Sequence, residues 1–219
     1  MPRLLFEKSG NAIWISHLDL MRLFQRAFKR AGLPLNHTQG YNPRPSVSIA
    51  LPLSVGVSSK CELLDFTLSV EGVSCAEIKE RLNAVLITGV RVLDVYENGR
   101  KVRDLSLLEC SIELQYDHLP PPDTADRIKA LFAKSEVLVP KKTKSGMQDQ
   151  NIITMIRKLH IDKAGESTLM INCLICCQNP TLNPAQIPLA IATFLPELKP
   201  DHIICHRIEI YDSSETVFR

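Results

Sequence analysis

The chain has 219 residues, 45% hydrophobic and 23% charged, with a net charge of +2. These values suit a folded protein of one large or two small domains and exclude a disordered or fibrous chain. No run approaches the ~20 apolar residues of a transmembrane helix, and the first residues lack the apolar core of a secretory signal, so a cytoplasmic protein with no membrane partner is expected. Seven scattered cysteines are expected to be small buried apolar residues in a reducing compartment. With 5% aromatic residues the core is expected to be aliphatic.

Residues 3–15 predict two extended pieces around Ser9-Gly10-Asn11, or one strand broken at Gly10, with Trp14 as a core anchor. Ser16 and Asp19 have the spacing of a capping box. Leu18, Met21, Phe24, Phe28 and Ala31 recur at helical spacing as the buried stripe, and Gly32 with Pro34 ends the helix. Residues 46–57 suit a strand that ends in a bend, 62–70 a strand, 75–86 a helix and 90–96 a strand of alternating polarity. This order predicts an α+β fold of ferredoxin-like, split βαβ type over residues 1–98. The polar stretch 97–104 reads as a junction. Residues 105–219 read as a second α+β domain on the same plan, with a strand at 109–116, a helix at 124–134, a strand start at 136–139, a strand or helix at 150–161, a strand at 167–178, a helix at 184–195 and a strand at 202–211.

The first helix and the loop after it carry the chemistry. Residues 1–50 hold seven Lys or Arg (Arg3, Lys8, Arg22, Arg26, Lys29, Arg30, Arg44) against two acids, Glu7 and Asp19. Such a surplus suits a phosphate-bearing partner. Arg22, Arg26, Lys29 and Arg30 are neighbours on one helix side. In residues 39–46, QGYNPRPS, two prolines stiffen the chain, Tyr41 offers a stacking face, Asn42 a hydrogen-bonding amide and Arg44 a bidentate ligand for phosphate. Residues 140–146, PKKTKSG, read as a mobile basic loop in which Lys141, Lys142 and Lys144 are further phosphate contacts.

The combination SHLDLMR, QGYNPRPS, ALPLSVGV and ELLDF resembles the bacterial radical-SAM-linked protein family, a domain of unknown function (DUF2344), most clearly over the first 70 or so residues. The chain departs from that pattern at Tyr41, Arg44 and Ser46, where phenylalanine, histidine and a basic residue are frequent. The resemblance implies a domain that stands beside, or is fused to, a cobalamin-binding radical SAM protein. The family's genes often neighbour those for an RNA-processing ribonuclease and ribosomal proteins. The chain lacks a CxxxCxxC cluster loop of its own, so the implied radical chemistry belongs to a partner.

Cys173 and Cys176 form a single CxxC, without the second pair of a metal site, in a predicted strand that points them to opposite faces. No phosphate loop, dinucleotide fingerprint or HExxH is present; no cofactor and no metal are expected. The reading is a non-catalytic accessory module that binds structured RNA and partners a radical SAM enzyme. Its site residues are His17, Asp19, Arg22, Arg26, Tyr41, Asn42, Arg44, Lys141, Lys142 and Lys144. Two alternatives stand beside it: a protein-interaction scaffold for the radical SAM partner that binds no RNA, and a metal-independent RNA-cleaving enzyme with His17 and His37 as acid and base.

Overall fold

The computed structural model describes residues 2–143 and 146–219. The chain divides into two compact units, Met1–Val102 with Arg219 and Arg103–Phe218, each mixed α+β with a sheet-dominated core.

The first unit contains β1 (Arg3–Lys8), α1 (His17–Arg30), β2 (Val47–Ile49), β3 (Val57–Phe66), α2 (Cys75–Asn83) and β4 (Val90–Tyr96). Its strands pair antiparallel in the order β4-β1-β3, with β2 on β3. The core lies between this sheet and the apolar sides of the helices, and it is more aromatic than composition suggests. Phe6, Phe24, Phe28 and Phe66 are fully buried. The Phe6 and Phe24 rings meet edge to face at 4.8 Å, and Phe28 and Phe66 stand 5.0 Å apart, geometries that add to the stabilisation from burial alone. Four of the seven phenylalanines are thus gathered in one place, which a composition averaged over the chain conceals.

Two expectations for residues 3–15 need correction. Strand β1 ends at Lys8, and Gly10–Trp14 is a 3-10 turn rather than a second extended piece. The turn is held by Lys8, whose side chain is 1% exposed. Its ammonium donates to the Ile13 carbonyl at 3.1 Å and to that of Ile15 at 2.7 Å, which meets the desolvation cost of a buried charge. The turn carries Trp14 outward, 67% exposed, beside Gly56, where a Cβ would stand 3.4 Å from its ring. Trp14 is therefore not a core anchor.

The second unit contains β5 (Leu107–Gln115), α3 (Thr124–Phe132), β6 (Leu138–Thr143), β7 (Gly146–Asn151), β8 (Ile156–Lys163), β9 (Thr168–Cys176), α4 (Gln186–Phe194) and β10 (His202–Tyr211). Its main sheet runs β10-β5-β9-β8, all antiparallel, while β6 and β7 pair separately. With β6–β7 set aside, both units share one plan: strand, helix, two strands, helix, strand, ordered fourth-first-third-second across the sheet. The buried side chains of this unit, among them Ile112, Leu114, Ile128, Leu131, Ile171, Ile187 and Ile191, are the aliphatic core expected. Of the loop expected at residues 140–146, Pro140–Thr143 lie on β6 and Gly146 on β7, and Pro140 pairs with Asp149 and Lys141 with Gln148. Among the described residues no helix is long and apolar enough to cross a membrane.

Candidate nucleic-acid interface

Helix α1 starts and stops where its sequence dictates. The Ser16 hydroxyl oxygen accepts from the Asp19 amide at 3.2 Å and donates its proton to the Asp19 carboxylate at 2.7 Å, satisfying a first-turn amide. At the other end Gly32, at φ +67°, lets the Leu33 amide reach the Phe28 carbonyl (2.9 Å) and its own amide reach that of Lys29 (3.2 Å), a Schellman closure. The buried side of the helix is Leu20, Phe24, Ala27 and Phe28. Leu18, expected in that stripe, is 66% exposed because its first-turn position falls on the other side; Met21 and Ala31 are half-buried.

The outer side carries Arg22, Gln25, Arg26 and Lys29, one continuous row at spacings of three and four. Arg22 is paired with Asp19 at 3.0 Å. The Ser16 hydroxyl first, then Arg22 and the more distant Arg26, hold the Asp19 carboxyl below its ordinary range. Part of the Arg22 charge is therefore offset within the helix. Arg26 and Lys29 are exposed, and their side chains make no hydrogen bond or ion pair among the described residues. Arg30 is engaged, donating to the Val85 carbonyl at 2.8 Å. The N-terminal surplus of cations is smaller at the surface than the sequence suggests. Lys8 is internal, and Arg3, 3% exposed, is held by Asp65.

The loop after α1 is a closed projection. The Thr38 amide donates to the Arg44 carbonyl (2.8 Å), the Ser46 amide to the Asn36 carbonyl (2.7 Å), and the Asn36 amide to the Thr67 carbonyl (2.8 Å). The Arg44 amide donates to the Thr38 hydroxyl at 3.0 Å. His37 faces Pro45 across this stem. The tip turns at Gly40, φ +132°, a value side chains resist. It presents Tyr41 at 98% exposure, with Asn42 and Arg44 exposed beside it. The Tyr41 ring is held almost wholly in water and takes no part in the core.

Helix and stem enclose a groove of about 450 Å³. Pro34, Leu35 and Pro45 give it an apolar floor, and Gln25, Lys29 and His37 line it with polar groups. Neither Gln25 nor Lys29 is among the site residues expected from sequence. The signal that finds them is the i, i+3, i+7 continuation of the row that starts at Arg22.

The remaining candidates fall elsewhere. His17 lies on the first turn of α1, and its Nδ1 atom is buried with no hydrogen-bond partner among the described residues. His37 lines the groove at Lys29, whereas His17 is ~18 Å from Lys29 along the axis at ~1.5 Å per residue. The two histidines are thus set at opposite ends of the helix and do not make the acid–base pair considered above. Lys141 and Lys142 belong to the second unit, on β6. The Lys141 ammonium donates to the Thr181 carbonyl at 2.9 Å, so it secures the β6–β7 pair instead of standing open on a mobile loop. Lys142 is exposed, and Lys144 lies outside the described residues. Among those residues no three His, Cys, Asp or Glu side chains are grouped to hold a metal ion. Cys173 and Cys176 are both buried, the first with its sulfur 3.2 Å from that of Cys110.

Among solved structures, the fold is similar to a chain of a Cbf5-Nop10-Gar1 complex, at 9% identity and a TM-score of 0.52, covering 95% of this chain and 48% of that one. It is also similar to a chain of an H/ACA RNP bound to a substrate RNA containing 2'-deoxyuridine, at 9% identity and a TM-score of 0.51, covering 94% and 46%. The chain spans about half the length of these relatives, and at such identity the likeness is one of fold. A comparison with curated proteins returns no match. Residues 2–184 match the family described as "Uncharacterized protein conserved in bacteria (DUF2344)", and the chain belongs to that family.

Proposed function

We propose that the chain is a non-catalytic accessory module that holds structured RNA against α1 and the loop at residues 36–46. The observation that carries this reading is the set Arg26, Lys29 and Arg44. The side chains of these exposed cations make no hydrogen bond or ion pair among the described residues, and Tyr41 stands 98% exposed on the same stem. Cations with a stacking surface are the usual means of gripping a nucleic-acid backbone and an unstacked base. Arg22, Arg26 and Arg44 contact phosphates, Tyr41 stacks, Asn42 hydrogen-bonds, and Asp19 orients Arg22. His17, on the first turn of α1, is a further ligand contact, and Lys142 and Lys144, in the second unit, are separate candidate phosphate contacts.

The strand order fourth-first-third-second supports a ferredoxin-like reading of both units, as domains over residues 1–98 and 105–219. The neighbours' names, which mention an H/ACA RNP and a substrate RNA, agree with an RNA-related fold. The resemblance to the radical-SAM-linked family supports presentation of the RNA to a radical SAM enzyme of the cobalamin type. A second reading, a protein scaffold for that enzyme without RNA, is favoured by exposed Trp14 (67%), Leu18 (66%) and Val55 (52%), since apolar groups in water suit a protein partner.

Retention of total cellular RNA by the purified protein separates the two. RNA held at low salt, released by added salt and lost in Arg22→Ala/Arg26→Ala/Arg44→Ala supports the RNA module. No retention at low salt overturns it and leaves the scaffold.

A further inference from the structure

We infer that the groove between α1 and the loop stem takes one unpaired nucleotide of a single RNA strand, an inference that rests on the RNA reading above. The chemistry of the walls decides the occupant. Pro34, Leu35 and Pro45 supply an apolar floor, against which a base ring can lie. Gln25 and His37 bring hydrogen-bonding groups to that floor, and Lys29 brings a cation. At about 450 Å³ the groove is in the range of small-molecule sites, roughly 300–1,000 Å³.

The row that leads into it supplies the rest. Arg22, Arg26 and Lys29 spread over ~10 Å of helix axis, about the length of three stacked nucleotides at ~3.4 Å each. A strand following that row arrives at the groove with its phosphates on cations and one base turned toward the floor. A duplex cannot do this, because its bases are stacked and paired inside. Sequence-reading proteins accordingly take RNA at loops, bulges and ends, where bases splay out. The groove therefore selects an unpaired segment, while Tyr41 on the stem stacks a second base.

The test uses the full chain and two fluorescent probes, a single-stranded oligoribonucleotide and the same strand annealed to its complement. Gln25→Trp fills the groove and leaves every cation in place; circular dichroism reports whether it folds. The expected result is tighter binding of the single strand than of the duplex by wild type. In Gln25→Trp single-strand affinity falls about tenfold, within the range of one lost base stack, with the salt dependence unchanged. His37→Ala, a change on the exposed stem, is expected to weaken the single strand and not the duplex, and it decides the matter should Gln25→Trp not fold.

Equal affinity of wild type for both probes, or full single-strand affinity in the folded variants, overturns the groove assignment and leaves the RNA reading standing. Binding of neither probe at low salt overturns both. A mixture of free mononucleotides separates the sources of the ligand. Displacement only at millimolar levels assigns the groove to a strand, and full displacement at micromolar levels overturns the strand in favour of a free nucleotide.

Discussion

Arg3 and Asp65 face each other across β1 and β3, with Nε 2.6 Å from one carboxylate oxygen and Nη2 3.0 Å from the other. The guanidinium is 3% exposed and the carboxylate 19%, so this fork-to-fork pair is shielded from solvent. Asp65→Ala leaves the arginine buried without its main counter-charge. The expected loss is about 3 kcal/mol or more in urea denaturation, and joint replacement of both residues by apolar ones of similar volume is expected to recover most of it. Arg3 is thereby a folding residue, although in the sequence it counts toward the basic surplus.

Ser16 and Asp19 make a prediction of a different kind. Ser16→Ala removes the cap of α1 and is expected to cost roughly 1 kcal/mol, read as an earlier urea midpoint. The carboxyl of Asp19 is held below its ordinary value of 3.8, first by Ser16 and then by Arg22. A depressed carboxyl contributes stability that is present above the ordinary value and is lost as pH falls through the lower, folded one. The urea midpoint of wild type is therefore expected to fall more steeply with acid than that of Asp19→Asn. Equal slopes below pH 3.8 would remove the linkage.

The thiols are expected to react in an order set by their surroundings. Burial pushes Cys177 up to about 12. The contact with Cys173 raises Cys110, and the contact with Cys110 followed by burial raises Cys205. Cys75 is half-buried at the start of α2. Alkylation of the native protein at mildly alkaline pH, followed by peptide mass spectrometry, is expected to label Cys75 first and the others only in denaturant, because the thiolate is the nucleophile. Early labelling of Cys177 would contradict its burial.

Lys141 is expected to behave as a structural residue. Lys141→Met removes the bond to the Thr181 carbonyl. It should speed hydrogen exchange of the β6–β7 amides while leaving RNA affinity at the wild-type level. A loss of affinity with unchanged exchange would return Lys141 to the interface.

What the sequence makes legible is local. Ser16, Gly32 and the apolar spacing define α1 because caps and periodicity act within a turn or two, and β4 at Val90–Tyr96 follows from a short apolar run broken by Arg91 and Asp94. What it hides is set by distant partners. Trp14 has the composition of a core residue, but the Lys8 bonds wind its segment into a turn that faces it outward. Residues 140–143 look like part of a lysine-rich loop until β7 supplies the pairing. The position of Asp65 against Arg3 and the groove under His37 both depend on contacts between segments far apart in the chain.

The central claim is that the cations of α1 and the loop touch phosphates. The most direct measurement is the dependence of RNA affinity on salt for wild type and for Arg26→Ala and Arg44→Ala singly. Each phosphate contact contributes a slope of about −0.7 in log affinity against log salt for a single strand. The account predicts that each variant loses about that much slope, with wild type the steepest. Variants that bind RNA with the wild-type slope would contradict it, and the phosphate grip would then have to lie away from Arg26 and Arg44.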